Sequence, residues 1–232
     1  MTAAEAVQSL GFCRKVDRST KAAHLKETVK IGLTGALGSG KSSVAFFLRD
    51  RLAAEYIDAD LICRHLLMPN EKGWSALRQT LGQEFFLADE TVDRTRLRQV
   101  LFSDGALRSR INRLLHPLAR EEVVARINKI ERIGGGPIVV EVPLLFEASW
   151  EDIFDRIVVV YADCKTCLRR IVRRDAVTFA EANAGLAAQA SLLDKAVQAD
   201  HVIDNSGCWS DTCLQLLHLN KRIRASMSDS GK

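Results

Sequence analysis

An α/β fold, built on a parallel β-sheet flanked by helices, is predicted by three observations. Short β-branched runs alternate with stretches of helical spacing. Most of the runs, at 29–34, 54–58, 137–142 (PIVVEV), 156–161 (RIVVVY) and 201–204 (HVID), are continuous rather than alternating. That is how strands buried on both faces of a parallel sheet read. A glycine-rich turn then joins the first run to a helix-forming segment, SSVAFFLRDRL.

That turn is the most specific feature of the chain. Gly35-Ala36-Leu37-Gly38-Ser39-Gly40-Lys41-Ser42 fits G-x-x-x-x-G-K-[ST] at every defined position. Glycines let bare backbone approach a ligand, and their N–H groups form a nest for anionic oxygens. The following helix adds partial positive charge at the same point. Lys41 is predicted to reach the β- and γ-phosphates, and the Ser42 hydroxyl to ligate Mg²⁺. The alternative, a plain helix-capping turn, gives no use for the Lys-Ser pair. The expected architecture is thus a P-loop NTPase-type sheet.

Composition narrows the classes. The chain has 232 residues, 47% of them apolar, and a net charge of +4. This is mildly basic, short of a nucleic-acid footprint. No apolar run approaches the length of a membrane span. No nucleic-acid or membrane partner is expected, and a cytoplasmic location is. Six cysteines do not make a disulfide scaffold at this length. Cys164 and Cys167 form one C-x-x-C, expected to pack at the start of a helix; redox and metal roles are the alternatives.

Residues 1–28 lack a clear period and read as an extension outside the core, disordered or weakly helical. Their basic residues suit an organellar presequence, while Glu5, Asp17 and Glu27 argue against one. Residues 29–60 and 134–232 are assigned to the core, and 61–133 to a helical substrate-binding subdomain inserted within it. The insertion carries helical spacing, as in Leu107, Ile111, Leu114, Leu115 and Leu118, and is too long for a loop.

Other groups gather at predicted strand ends. Asp58 and Asp60 close the second strand run, and spacing by two puts both carboxylates on one side while the strand is regular. A carboxylate there can orient or deprotonate an attacking hydroxyl, or hold Mg²⁺; the alternative is a helix N-cap pair. Glu141 ends the apolar IVVE, where it can act on Mg²⁺ through water or make a structural hydrogen bond. Arg170 and Arg174 share a helix face and suit phosphate oxygens; a solvated face is the alternative. His116, in Leu115-His116-Pro117, is a candidate substrate contact, with a cap or core role against it.

Together these motifs resemble the dephospho-CoA kinase family. The likeness runs in order from residue 30 to about 207, through LTGALGSGKSS, YIDADLICRHLL, LLHP, EVPLLFE, LRRIVRRD, Ala188-Gln189 and ADHVIDNSG. The resemblance implies transfer of the γ-phosphate of ATP to the ribose 3′-hydroxyl of dephospho-CoA, the last step of coenzyme A synthesis. It implies a P-loop kinase core with a helical substrate domain and a mobile lid, here about 170–198. By matching position, Asp60 looks like the acid that positions or activates the 3′-hydroxyl. Arg170 looks like the arginine on the migrating phosphoryl group. Gly38, Ser39, Gly40, Lys41, Ser42 and Ser43 look like the ATP phosphate site. Asn205 falls where the family's chain passes near adenine.

The chain departs from the family in three places. Ala36-Leu37 stands where Gly-Ile is usual, GKSS replaces GKST, and Leu52-Ala53-Ala54-Glu55 lacks a glycine commonly found before the second strand. Three rival readings are another small-molecule kinase on the same core, a GTPase-like switch, and a catalytically dead scaffold, against which the key groups are all present. The nearest guanine motif, Asn128-Lys129-Ile130-Glu131, carries Glu for Asp inside a helical stretch.

Overall fold

The computed structural model describes residues 28–229, so all but the last residue of the predicted extension lies outside the described residues. Each predicted strand run forms a strand: β1 Lys30–Gly35, β2 Glu55–Asp58, β3 Ile138–Glu141, β4 Arg156–Tyr161 and β5 His201–Asp204. Their order in the sheet is β2–β3–β1–β4–β5. β1 runs parallel to β3 on one side and β4 on the other, and β4 runs parallel to β5. Leu33 of β1 thus faces Glu141 in one register and Val158 in the other. Because β1 has later strands on both sides, a topological switch point opens at its carboxyl end, where open α/β sheets bind ligands.

The three central strands are buried continuously, as their lack of alternation predicts: five of the six residues of both β1 and β4 and all four of β3 are buried, while the outer β2 and β5 each bury one residue. One sheet face carries Ile31, Leu33, Val139, Val158 and Val160. It packs on Val44, Ala45 and Leu48 of α1 (Lys41–Leu52) and on Leu216, Leu219 and Ile223 further along the chain. Each such Leu or Ile contributes roughly 1.5–3 kcal/mol by leaving water.

α1 ends on Ala53, which takes the left-handed conformation at φ 51 and ψ 44. The Cβ makes that region unfavourable for any residue but glycine, by about 1 kcal/mol. Ala53 is exposed, so its methyl returns no packing. Ala53→Gly is therefore expected to raise the thermal unfolding midpoint by a few degrees. Differential scanning calorimetry measures it; an unchanged or lower midpoint contradicts the reading.

The chain divides into two compact units. One is Asp58–Arg126, and the described residues on either side of it form the other. The first contains α2 (Ala59–Leu66), α3 (Lys72–Thr80), α4 (Arg94–Ser103) and most of α5 (Gly105–Arg132). Leu77, Phe86, Val92, Leu97 and Ile111 make its core. Trp74 meets Phe86 edge-on at 6.2 Å, and its indole N–H donates to the Glu90 carbonyl at 2.7 Å. The unit is not wholly helical: Phe86 and Val92 form an isolated antiparallel bridge. Pro117 lies inside α5 rather than at its start.

After β4, the chain forms α6 (Cys164–Asp175), α7 (Phe179–Ala187) and α8 (Leu192–Gln198), then β5 and α9 (Trp209–Asp229). Asp163 caps α6 by accepting the Thr166 N–H at 2.8 Å. Thr178 and Glu181 form a reciprocal capping box at the start of α7.

Candidate active site

The glycine-rich turn hangs between β1 and α1. Gly40 is the N-cap of α1 at φ 91, and no side chain caps the helix. Gly40 has no room for a side chain, since a Cβ would overlap the Asn205 amide nitrogen. Gly38, at φ 77, would place a Cβ 2.6 Å from the Cys167 carbonyl oxygen. Glycine is thus required at both positions by backbone angle and by contact.

The back of the turn is held by two side chains. The Asn205 amide donates to the Ser39 carbonyl at 2.7 Å, and its Oδ1 accepts the Thr212 hydroxyl at 3.0 Å. Arg170 donates through Nη2 to the Asn205 carbonyl at 2.9 Å and through Nη1 to the Ser39 carbonyl at 3.4 Å. A trans peptide sets its C=O and N–H in opposite directions. With the Ser39 carbonyl turned out to Asn205 and Arg170, the Gly40 N–H is aimed the other way, to the concave side of the turn. This is how the sequence builds a backbone anion cradle.

Lys41 is 8% exposed, and its Nζ donates to the Ala36 carbonyl at 3.0 Å, laying the ammonium across the turn. Ser42 follows in the first turn of α1, exposed, as is Ser43. The Ser42 hydroxyl donates to Glu141 Oε1 at 2.9 Å, and the Tyr56 hydroxyl donates to Glu141 Oε2 at 2.8 Å. Glu141 is 6% exposed. Ser42 and Glu141 thus offer neighbouring oxygen donors, the ligand type a hard divalent cation takes.

Lys41, Ser42, Glu141, Arg170 and Asn205 thus lie around one turn within one unit. Asn205 stands behind the phosphate turn, with its side chain spent on Ser39 and Thr212. Asn205 follows directly on β5, which ends at Asp204 beside β4. Arg174 points its fork at Asp175, at 2.7 and 2.9 Å. The Asp58–Asp60 pair differs from the strand reading. β2 stops at Asp58, whose Oδ1 caps α2 by accepting the N–H groups of Asp60 and Leu61 at 2.8 and 3.1 Å. Asp60 is thus in the first turn of a helix, and the period of two does not reach it. Asp60 and the half-buried His116 of α5 belong to the Asp58–Arg126 unit.

Tyr56 and Thr212 escape the sequence reading, since no local motif marks them. The C-x-x-C is packing at one end: Cys167 is 1% exposed, and burial pushes its thiol up to about 11. Burial, then the charges of Asp60 and Asp58, push Cys63 up to about 11 as well. At pH 8 about one part in a thousand of such thiols is ionised. Iodoacetamide is therefore expected to alkylate exposed Cys164 and Cys208 well before Cys63 and Cys167. Peptide mass spectrometry reads the order, and early loss of Cys167 contradicts it.

A phosphate turn at the switch point of a parallel five-stranded sheet, with its lysine, serine and strand-end acid in place, defines a nucleotide-binding protein of the P-loop class. The helical Asp58–Arg126 unit between β2 and β3 narrows the class further. The dephospho-CoA kinase family model matches residues 29–211, and the chain belongs to that family. The dephospho-CoA kinase of Geobacter metallireducens is 39% identical over 191 residues, spanning 82% of this chain and 94% of that one. The dephospho-CoA kinase of Symbiobacterium thermophilum is 37% identical over 186 residues, 80% of this chain and 77% of that one. Among solved structures, a protein from Thermus thermophilus superposes with TM-score 0.70 at 28% identity, covering 86% of this chain and 98% of that one. The dephospho-CoA kinase of Campylobacter jejuni shares the fold, with TM-score 0.60 at 21% identity over 84% of this chain and 96% of that one.

Proposed function

We propose that this chain phosphorylates the ribose 3′-hydroxyl of dephospho-CoA at the expense of ATP, giving coenzyme A and ADP. The observation that carries the reading is the glycine-capped start of α1, with Lys41 across it and Ser42 on Glu141. A triphosphate has a backbone cradle there, a positive helix end and a mobile ammonium.

Each residue has a task in this reading. Gly38, Ser39, Gly40 and Ser43 form and flank the phosphate cradle. Lys41 holds the β- and γ-phosphate oxygens, exchanging its Ala36 carbonyl for them. Arg170, which holds the back of the turn through the Ser39 and Asn205 carbonyls, supplies charge to the migrating phosphoryl group once its fork leaves them, and Arg174 supplies more if it leaves Asp175. Asn205 keeps the cradle in shape. Asp60 orients the acceptor hydroxyl and takes its proton, and His116 contacts the acceptor within the 61–133 subdomain.

Among the described residues no group of three or more His, Cys, Asp and Glu side chains is assembled to hold a metal. Mg²⁺ needs no such cage, because it keeps water and phosphate oxygens among its ligands. Ser42 would hold it directly and Glu141 through water; its chemistry there is neutralisation of phosphate charge. Within residues 170–198 the part before Ala190 would act as the lid, and excluding water would limit ATP hydrolysis. A cytoplasmic site of action suits these substrates, and no helix among the described residues is long and apolar enough to cross a membrane.

A GTPase reading has no support from its nearest motif. Asn128-Lys129-Ile130-Glu131 lies in α5, and Glu131 pairs with Lys30 at 3.4 Å. The test is an acceptor panel with Mg-ATP: dephospho-CoA, nucleosides and nucleoside monophosphates, read by ADP release. Turnover with dephospho-CoA is expected. Turnover with a nucleoside and none with dephospho-CoA would replace the reading with that of another small-molecule kinase.

A further inference from the structure

The mechanism above leaves one hydrogen bond at the phosphate turn unused. The N–H of Leu37, at the tip of the turn, donates to Gln189 Oε1 at 2.9 Å, across 152 residues. The Leu37 side chain packs on the apolar cluster of α6 and α7, formed by Leu168, Ile171 and Ala182. Both the backbone and the side chain of one loop residue are thus gripped by the segment after β4.

Gln189 lies in the joint between α7 and α8, and the far side of that joint is fixed. The Ala190 N–H donates to Glu147 Oε1 at 3.0 Å. The same oxygen pairs at 2.8 Å with Lys195, which is fully buried. Lys195 also donates to the Pro143 carbonyl at 3.2 Å, and that carbonyl accepts the Thr34 hydroxyl of β1 at 3.1 Å. A buried ammonium separated from its carboxylate is costly. The joint is therefore anchored from Ala190 onward, while α7 has mostly exposed residues.

We propose that Gln189 is a positioning residue for the phosphate turn, and that it couples nucleotide binding to the seating of α7. A bound triphosphate fixes the turn. A fixed turn presents the Leu37 N–H to Gln189 and the Leu37 side chain to the α6–α7 cluster. α7 is then held against them, with Ala190–Lys195 as the stationary end. The coupling is reciprocal, so loosening Gln189 weakens nucleotide binding. This rests on the nucleotide reading of the turn given above.

The experiment is hydrogen–deuterium exchange on the full chain, with and without Mg²⁺ and a non-hydrolysable ATP analogue, alongside calorimetric affinity. In the unmodified protein the analogue is expected to slow exchange in the turn, 36–42, and in α7, 179–187. Gln189→Met removes the acceptor at similar volume, and Gln189→Asn withdraws it by one methylene. Either is expected to weaken analogue binding roughly five- to tenfold, the value of one hydrogen bond. At saturation either is expected to keep the slowing in 36–42 and lose it in 179–187. Unmodified affinity with intact slowing of 179–187 in both variants overturns the proposal. So does a lowered melting temperature with affinity and slowing retained, which makes Gln189 purely structural. If the unmodified protein shows no analogue binding at 36–42, the nucleotide reading falls and takes this with it. Slowing of 36–42 without 179–187 removes the coupling alone.

Discussion

Asp60→Asn is expected to lower phosphoryl transfer to dephospho-CoA by roughly two orders of magnitude or more while ATP binding persists. The substitution keeps the shape, removes the charge and turns one acceptor oxygen into an NH2 donor. It does not remove the cap of α2, because that is supplied by Asp58. Asp60 also gives its charge to the positive end of α2, an interaction of about 0.3–1 kcal/mol. The variant should therefore fold, with a slightly lower melting point. A second readout comes from Cys63, whose thiol is held up in part by Asp60. Neutralising Asp60 is expected to lower that thiol towards its ordinary range and speed its alkylation. Near-normal turnover together with faster Cys63 alkylation would show that the carboxylate was removed without catalytic consequence, and Asp60 would lose its proposed role.

Lys41→Ala is expected to weaken ATP binding and to abolish measurable transfer, a loss of roughly a hundredfold or more. The lysine is the first residue of α1 and is nearly buried, with its ammonium laid over the Ala36 carbonyl. Alanine is the best helix former, so α1 should persist and the loss should not come from unfolding. What disappears is the turn's own ammonium, on a nearly buried side chain where charge is more effective than in open water. Circular dichroism should be unchanged while calorimetry shows weakened nucleotide binding. Unchanged kinetics would reject the turn as the ATP site.

Much of this architecture is legible in the sequence because its causes are local. A continuous β-branched run between helical stretches is best buried under helices on both faces, so the central β1, β3 and β4 are readable on that ground, and the shorter β2 and β5 from their place between helical stretches. The phosphate turn is readable because its glycines answer to backbone angle, as Gly38 and Gly40 show. Other features depend on approach from a distance. Tyr56 reaches Glu141 across 85 residues and Gln189 reaches Leu37 across 152, and neither carries a local sign of its partner. Asn205 reads as a neighbour of adenine only through the family resemblance, and its contacts with Ser39 and Thr212 have no local sign in the sequence. The Asp58–Asp60 pair misleads because alternation holds only while the strand lasts, and Asp58 itself ends it by capping α2. Arg174 shares a face with Arg170, but its neighbour Asp175 claims the fork first. The capping box Thr178–Glu181 has a sequence signature and marks α7 within a stretch that composition alone leaves as alanine-rich.

One measurement bears most directly on the proposed reaction: incubation of the full chain with dephospho-CoA and Mg-ATP, with products separated and the site of phosphorylation assigned by phosphorus NMR. Equal amounts of ADP and coenzyme A are expected, with the new phosphate on the ribose 3′-oxygen. ADP without coenzyme A, or phosphate on any other oxygen, would contradict the account.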